Sequence, residues 1–138
     1  MKLEINALFT ILGMVVLFLF GGWSLMLNVL LFAMCCDYLT GIIVAAKGKS
    51  NKTKGGHLSS KAGFWGLAKK CLILLILAMA YRIDLLVNAN GLLYNAVVLF
   101  YISNECISCL ENLVKLDIKI PNKLKAVIEE LGEDDDAG

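Results

Sequence analysis

Four ionisable residues lie inside long apolar stretches of the sequence, where charged side chains are rare. Asp37 and Glu105 occupy matching positions in two of these stretches, and the adjacent Lys69 and Lys70 interrupt a third. A charge at bilayer depth is costly unless it is paired or hydrated. The residue types therefore predict ion pairing between helices, with two acids and two bases in one neutral layer.

The spacing along each stretch places the four side chains at similar depths. With a rise of about 1.5 Å per residue, both acids lie roughly 13 Å from one end of their helices, and Lys70 lies roughly 9 Å from it. A lysine side chain is long enough to span the difference. In the alternative interpretation, both lysines extend to the lipid headgroups and both acids are protonated. We expect Arg82 and Asp84 to form a similar pair near the other end.

The stretch from 91 to 114 also has polar residues along one side. At about 100° per residue, they share an arc of roughly 120° on a helix. They are Tyr101, Asn104, Glu105, Ser108, Glu111 and Asn112. Such a face either forms hydrogen bonds with neighbouring helices, which we favour, or lines a pore or joins subunits.

Small residues recur at spacings that allow helices to approach closely. Gly41 and Ala45 lie on one helix face in the second stretch, and Gly63 and Gly66 lie near the start of the third. Small side chains let two backbones come together in a membrane. We therefore expect these residues at close helix contacts.

Helices must position these side chains, because the composition is that of an integral membrane protein. Apolar residues make up 59% of the 138 residues and charged residues 18%, against about 45–50% and about 25% in soluble domains. The apolar stretches run over about 5–20, 23–46, 64–87 and 91–114. The last three can cross a bilayer core of ~30 Å, whereas the first either crosses it or lies at its surface. The sequence predicts an all-α membrane domain over 1–114 with three to four transmembrane helices.

Lysines are concentrated between the second and third stretches and after the fourth. The loop 47–61 and the tail 115–138 carry this positive bias, which favours the cytoplasmic side of a membrane. The N-terminus is then also cytoplasmic with four crossings and external with three. We expect no cleaved signal peptide, because no A-x-A-like site follows the first apolar stretch.

The tail predicts one more helix, which is amphipathic. After Pro121, apolar residues recur at helical spacing, and an acidic run over 133–138 follows. The apolar residues are Leu124, Val127, Ile128 and Leu131. Such a helix either lies on anionic lipid headgroups or packs against a neighbouring subunit. The acidic end is too charged to pack.

No pattern in the sequence points to an enzyme, a metal site or a bound cofactor. The cysteines at 35, 36, 71, 106 and 109 lie in apolar stretches, so we expect free thiols rather than disulfides. The lone His57 has no nucleophile beside it, and the motifs of phosphate-binding loops, zinc proteases and serine hydrolases are missing. Membrane topology explains the lysines, and we expect no nucleic-acid partner.

Several short motifs follow one another between about 37 and 121. They are Asp37-Tyr-Leu-Thr-Gly41, Ser59-Ser-Lys61 with Gly63, Gly66 and Lys69-Lys70, Tyr101-Ile-Ser-Asn-Glu105, Ile107-Ser108, Leu110-Glu-Asn112 and Ile120-Pro121. In this order, on a chain of this size and hydropathy, they resemble the phage holin family that includes toxin-secretion and phage-lysis holin-like proteins of Gram-positive bacteria.

The resemblance implies a multi-pass protein of the bacterial cytoplasmic membrane that forms homo-oligomers and opens a large lesion in the lipid bilayer. Such a lesion releases endolysin for host lysis, or a toxin for secretion, without requiring direct contact with either. Two alternatives remain open. One is a non-lytic antiholin-like regulator that co-assembles through the same helices. The other is a small ion channel or transporter that uses Asp37 and Glu105 as permeation sites.

Overall fold

Five α-helices make up the computed structural model, which describes residues 1–133. They are α1 (Lys2–Phe20), α2 (Leu25–Ala46), α3 (Ser60–Val87), α4 (Leu92–Lys115) and α5 (Asn122–Glu133). The described residues contain no β-strand. The predicted all-α architecture with a short C-terminal helix is therefore confirmed. The acidic run was predicted over 133–138, and its residues 134–138 lie outside the described part of the chain.

Within residues 1–133, three helices are long and apolar enough to cross a membrane, namely α1, α2 and α4. These three candidate spans agree with the predicted three to four transmembrane helices, and they include the segment that was expected to be short. The reason is that α1 begins at Lys2, ahead of the apolar stretch, and reaches 19 residues. Helix α3 has 28 residues, but the charges of Lys69, Lys70, Arg82 and Asp84 interrupt its apolar run.

Side chains and turns at the helix ends explain where the helices begin and stop. The Ser24 hydroxyl accepts a hydrogen bond from the N–H of Leu27 at 3.1 Å, which caps the start of α2. Ser59 caps α3 in the same way, through the N–H of Ala62 at 3.5 Å. Helix α1 stops at Gly21, whose φ of 75° lies in the left-handed region that favours glycine. A short turn therefore connects α1 directly to α2.

Helices α2, α3 and α4 pack around one apolar core. The buried core residues are Leu27, Leu30, Met34, Leu77, Tyr94, Val98 and Ile102. Residues near the start of α2 pack on residues near the start of α4, so these two helices run parallel and α3 runs antiparallel to both. Among the described helices, α1 contacts only α3 and has no buried residue. The core is thus a three-helix unit with α1 at its periphery.

The bundle has two chemically different ends. The loop end holds the last turns of α2 and α4, the first turn of α3 and the lysine loop, which we define as residues 47–59. The turn end holds the short connections after α1 and α3. Two contacts fix the lysine loop: a Cβ at Gly56 would overlap the carbonyl of Gly48, and Lys49 Nζ lies 2.7 Å from Asp117 Oδ2. The loop is therefore tied to the chain that follows α4.

Candidate functional site

One lysine joins three helices in the half of the bundle nearest the loop end. Lys70 Nζ on α3 donates a hydrogen bond to Asp37 Oδ2 on α2 at 2.8 Å and a second one to Glu105 Oε2 on α4. The side chains of Lys70, Asp37 and Glu105 are only 12%, 10% and 9% exposed. We call these three residues the ion-pair layer.

The ion-pair layer is flat with respect to the bundle. Each member lies about 14–15 Å from the loop end of its helix, at a rise of about 1.5 Å per residue. Helix α3 starts at Ser60, ahead of the predicted start at 64, and this brings Lys70 to the same depth as the acids. The three groups therefore meet without a long reach by the lysine.

An amide completes the coordination of the Asp37 carboxylate. Asn112 Nδ2 donates to Asp37 Oδ1 at 3.2 Å and also lies 3.0 Å from Thr40 Oγ1. Both oxygens of Asp37 thus have a donor, one from α3 and one from α4. Sequence reasoning placed Asn112 on the polar face but missed Thr40. The sequence feature that could have identified Thr40 is its position three residues after Asp37, on the same helix face.

The second predicted base does not join the layer. The Lys69 side chain is exposed and makes no ion pair within residues 1–133. With all groups ionised, two carboxylates and one ammonium leave the layer with a formal charge of −1. Lys52 in the lysine loop lines the same cavity as the layer. No pattern in the sequence distinguished it from the other loop lysines.

The polar face of α4 divides into an inner and an outer part. Glu105 and Asn112 are buried and bind α2 and α3, while Ser108 and Tyr101 are partly buried. The other two residues, Asn104 and Glu111, are exposed on the protomer surface. The face therefore supplies hydrogen bonds inside the bundle and leaves two polar groups exposed, of which Asn104 borders the cavity beside the ion-pair layer.

The small residues line a cavity at the loop end. This loop-end cavity has a volume of about 320 Å³ and lies between α2, α3, α4 and the lysine loop. Its wall includes Gly41, Ala45, Gly63 and Gly66. A Cβ added at Gly63 or Gly66 would lie 3.6–3.7 Å from the Tyr38 side chain, an ordinary contact distance. The small residues thus leave space beside the ion-pair layer, and these two glycines are not required for backbone approach.

At the turn end, the charged side chains bind backbone groups rather than one another. Asp84 is buried, and its carboxylate accepts hydrogen bonds from the N–H of Gly91 at 2.7 Å and of Tyr94 at 3.0 Å. It therefore caps the start of α4. Arg82 donates to the carbonyl of Phe18 at 2.6 Å, and its guanidinium lies 3.9 Å from the centroid of the Phe18 ring. The expected Arg82–Asp84 pair is wrong, because the unpaired N–H groups of α4 bind the carboxylate instead.

Two of the four apolar residues predicted on the tail helix are uncovered, and the side chains of the other two, Ile128 and Leu131, lie outside the described part of the structure. Leu124 and Val127 on α5 are 48% and 54% exposed, and α5 contacts only α4 among the described helices. Lys119, Lys123 and Lys125 lie in and beside the same helix. This arrangement fits both predicted roles, a helix on lipid headgroups or a helix against a neighbouring subunit.

The apolar helices and the ion-pair layer define a helical membrane protein with a polar junction inside the bundle. The chain belongs to the bacteriophage holin family, whose model matches residues 14–133. The match begins within α1 and includes the whole ion-pair layer. Holins normally have no enzymatic activity.

Curated proteins of several bacteria and one phage are similar to this chain. An uncharacterized protein of Listeria monocytogenes is 39% identical over 128 residues, covering 91% of this chain and 86% of its own. An uncharacterized protein of Clostridium perfringens is 40% identical, with 87% and 86% covered. A probable holin of Bacillus phage phi105 is 34% identical, with 80% and 76% covered. No solved structure is significantly similar to the chain.

Proposed function

We propose that this protein is a holin that assembles into homo-oligomers in the bacterial cytoplasmic membrane and opens a large lesion. The lesion releases endolysin for host lysis, or a toxin for secretion, without direct contact with either. Family membership and the similarity to a probable phage holin support this proposal. The observation that carries it is the ion-pair layer, because a single side chain there connects all three core helices.

In this mechanism, the ion-pair layer holds the bundle closed within each protomer. Withdrawal of Lys70 would leave the carboxylates of Asp37 and Glu105 and the amide of Asn112 facing one another across the bundle. Such groups are stable only if water or new partners reach them. A water-filled lesion between many copies supplies water, so opening and hydration support each other. The layer is the element with two states that such a switch requires.

Assembly uses polar groups that the closed protomer leaves on its surface. Asn104 and Glu111 are exposed on α4, and polar side chains at bilayer depth are stabilised by hydrogen bonds to neighbouring helices. In the oligomer, these side chains contact other copies or line the lesion. Crosslinking in membranes should give species larger than a dimer, and a clean monomer at lytic expression would contradict assembly.

The loop end faces the cytoplasm in this proposal. The lysine loop and the start of the tail both lie there, and short lysine-rich segments are retained on the cytoplasmic side. Since α2 and α4 run parallel, the 28-residue α3 crosses the membrane between them, and α1 is long enough to span as well. Four crossings then place the N-terminus there too. In a background without native cysteines, a cysteine at Ala89 should react with an external impermeant reagent. Cysteines at Asn51 and Asp135 should not react, and labelling at Asn51 would overturn this orientation.

The decisive functional experiment is expression with a cytoplasmic endolysin that lacks its own export signal. A holin releases this folded protein and the culture lyses abruptly. A small ion channel would dissipate the membrane potential without releasing the enzyme. An antiholin-like regulator would cause no lysis alone and would delay lysis when co-expressed with a lytic holin. Either of these two results would replace the proposal.

A further inference from the structure

The loop-end cavity has the size and position of a small binding site. Its volume of about 320 Å³ is at the lower end of the roughly 300–1,000 Å³ of ligand pockets. One side of it is formed by the ion-pair layer, and another by residues of the lysine loop. In a membrane, this places the cavity near the level at which lipid headgroups lie.

The charged side chains that line the cavity carry a formal charge of +1, because three lysines face the two carboxylates of Asp37 and Glu105. Lys70 is already bound to Asp37 and Glu105. Lys52 and Lys69 also line the cavity and make no ion pair within residues 1–133. Two cations at one opening repel each other and attract an anion of small size.

Hydroxyl groups in the same wall add hydrogen-bond donors. The Ser50 hydroxyl accepts from the N–H of Lys52 at 3.2 Å, and the Ser59 hydroxyl accepts from the N–H of Ala62 at 3.5 Å. In the described part of the chain, neither hydroxyl proton has an acceptor. Donors of this kind suit the oxygen atoms of a phosphate group.

Apolar residues form the rest of the cavity wall. They include Ile42, Leu58 and Ile73, and the Leu58 side chain is largely exposed. A free inorganic anion gains nothing from such a wall. An amphiphile gains burial of its glycerol and first methylene groups. The combination of cations, hydroxyls and apolar side chains therefore favours a lipid over a free ion.

We propose that the loop-end cavity binds the phosphate headgroup of an anionic phospholipid. Basic pockets between transmembrane helices are a known chemical solution for such headgroups. The single negative charge of a bound lipid phosphate would balance the formal charge of +1 of the cavity wall and hold the lysine loop against α3. The proposal uses the membrane location of the chain and the orientation of its loop end, and it does not depend on lesion formation.

The test is lipid retention by the full-length protein, measured by native mass spectrometry from micelles with equal phosphatidylglycerol and phosphatidylcholine. The wild type should retain phosphatidylglycerol over phosphatidylcholine by about tenfold or more. The double variant Lys52→Gln with Lys69→Gln should lose this preference. The variant Lys52→Arg with Lys69→Arg should keep it, because it preserves both charges.

A matched control removes the same charge from outside the cavity. Lys54 and Lys61 lie in or beside the lysine loop but do not line the cavity. The double variant Lys54→Gln with Lys61→Gln should bind phosphatidylglycerol as the wild type does. Equal loss in both doubles would show general surface attraction and overturn the site. Equal melting temperatures of the two doubles exclude unfolding as the cause.

Two further arms separate the lipid from other anions. Millimolar inorganic phosphate should leave the lipid bound, and complete displacement would make the site one for a free anion. Deletion of residues 134–138 should also leave lipid retention unchanged. A several-fold gain on deletion would make the acidic chain end the occupant. A wild-type protein that lyses normally but shows no preference for phosphatidylglycerol would refute this site and leave the proposed function standing.

Discussion

The two ends of the bundle stabilise buried acids in different ways. At the turn end, Asp84 binds two backbone N–H groups that belong to the first turn of α4. Near the loop end, Asp37 and Glu105 share one long side chain from a third helix. The first arrangement is local and joins consecutive helices. The second connects three helices through residues that lie 33 and 35 positions apart in the sequence.

This difference indicates which end can change during function. The backbone donors around Asp84 cannot be withdrawn without unwinding the start of α4. The ammonium of Lys70 is carried by a flexible four-carbon stem, and it can leave the two carboxylates while all three helices stay intact. In the proposed mechanism, the turn end therefore stays intact and the ion-pair layer is the connection that breaks.

The largest expected effect comes from Lys70→Gln, which leaves two buried carboxylates without their cation. Removal of one partner of a buried pair costs about 3–5 kcal/mol. We expect lysis to be abolished or strongly shifted in time, while the protein still inserts. Lys69→Gln removes a neighbouring exposed lysine and should shift lysis far less. Lysis time at matched membrane protein levels measures both, and equal effects of the two variants would contradict the layer.

The next effect is on the turn end, through Asp84→Ala. Two backbone N–H groups lose their acceptor, and each unsatisfied buried group costs about 1–3 kcal/mol. We expect a lower melting temperature in detergent and less protein in the membrane, with lysis reduced only in proportion to that amount. Asp84→Asn keeps one acceptor oxygen and should lose less. A change in lysis time at unchanged stability would mean that the turn end also acts as a switch.

A smaller effect is expected at the turn between α1 and α2. Gly21 has a φ of 75°, and a Cβ there would lie 2.6 Å from the Tyr81 ring. Gly21→Ala should cost about 1–2 kcal/mol for the left-handed backbone, with displacement of Tyr81 in addition. Gly13→Ala is the control, because a Cβ there meets nothing within 4 Å. Equal melting temperatures of the two variants would contradict the packing of α1 on α3.

The smallest effect is expected at the exposed pair that ties down the lysine loop. The Lys49 ammonium lowers the pKa of Asp117 below the ordinary value of a carboxyl group. Because the folded pKa is the lower one, this stabilisation is complete above the ordinary carboxyl pKa and is lost as the pH falls through the folded pKa. Asp117 is 84% exposed, so salt screens the pair.

Asp117→Asn isolates this charge, since asparagine also tolerates the positive φ of 65° at this position. Its melting temperature should be slightly below that of the wild type at pH 7 and equal to it at low pH or in high salt. A deficit larger than that of Gly21→Ala would show that the loop attachment has been underestimated.

The sequence predicted the apolar helices and the members of the layer because both depend on local patterns. Apolar runs of transmembrane length mark helices, and charges within them mark groups that need partners. Helical spacing was enough to place Asp37, Lys70 and Glu105 near one depth. The sequence could not show which of Lys69 and Lys70 joins the ion-pair layer. Adjacent residues on a helix point about 100° apart, and the rotation of α3 about its axis is set by its packing.

The other differences have equally physical causes. Asp84 was expected to pair with Arg82, since the sequence shows charges but not the free N–H groups that a helix start presents after a turn. The small residues indicated helix contacts, whereas their place in a cavity wall depends on how far α3 separates from α2. The first segment was expected to be short because apolar residues were counted, while α1 also includes polar residues at its start.

The most direct test of the central claim is a cycle of lysis times for Glu105→Gln, Lys70→Gln and the double variant, at matched membrane protein levels. Lys70→Gln leaves two carboxylates without a cation, and Glu105→Gln removes the connection between Lys70 and α4, so we expect lysis to be lost or strongly shifted in both. In the double variant Lys70→Gln with Glu105→Gln, Asp37 keeps its hydrogen bond from Asn112 and only one charge remains in place of three. We expect this variant to recover part of the lytic activity. Wild-type timing in both single variants, or a double variant whose defect equals the sum of the single defects, would contradict a functional ion-pair layer.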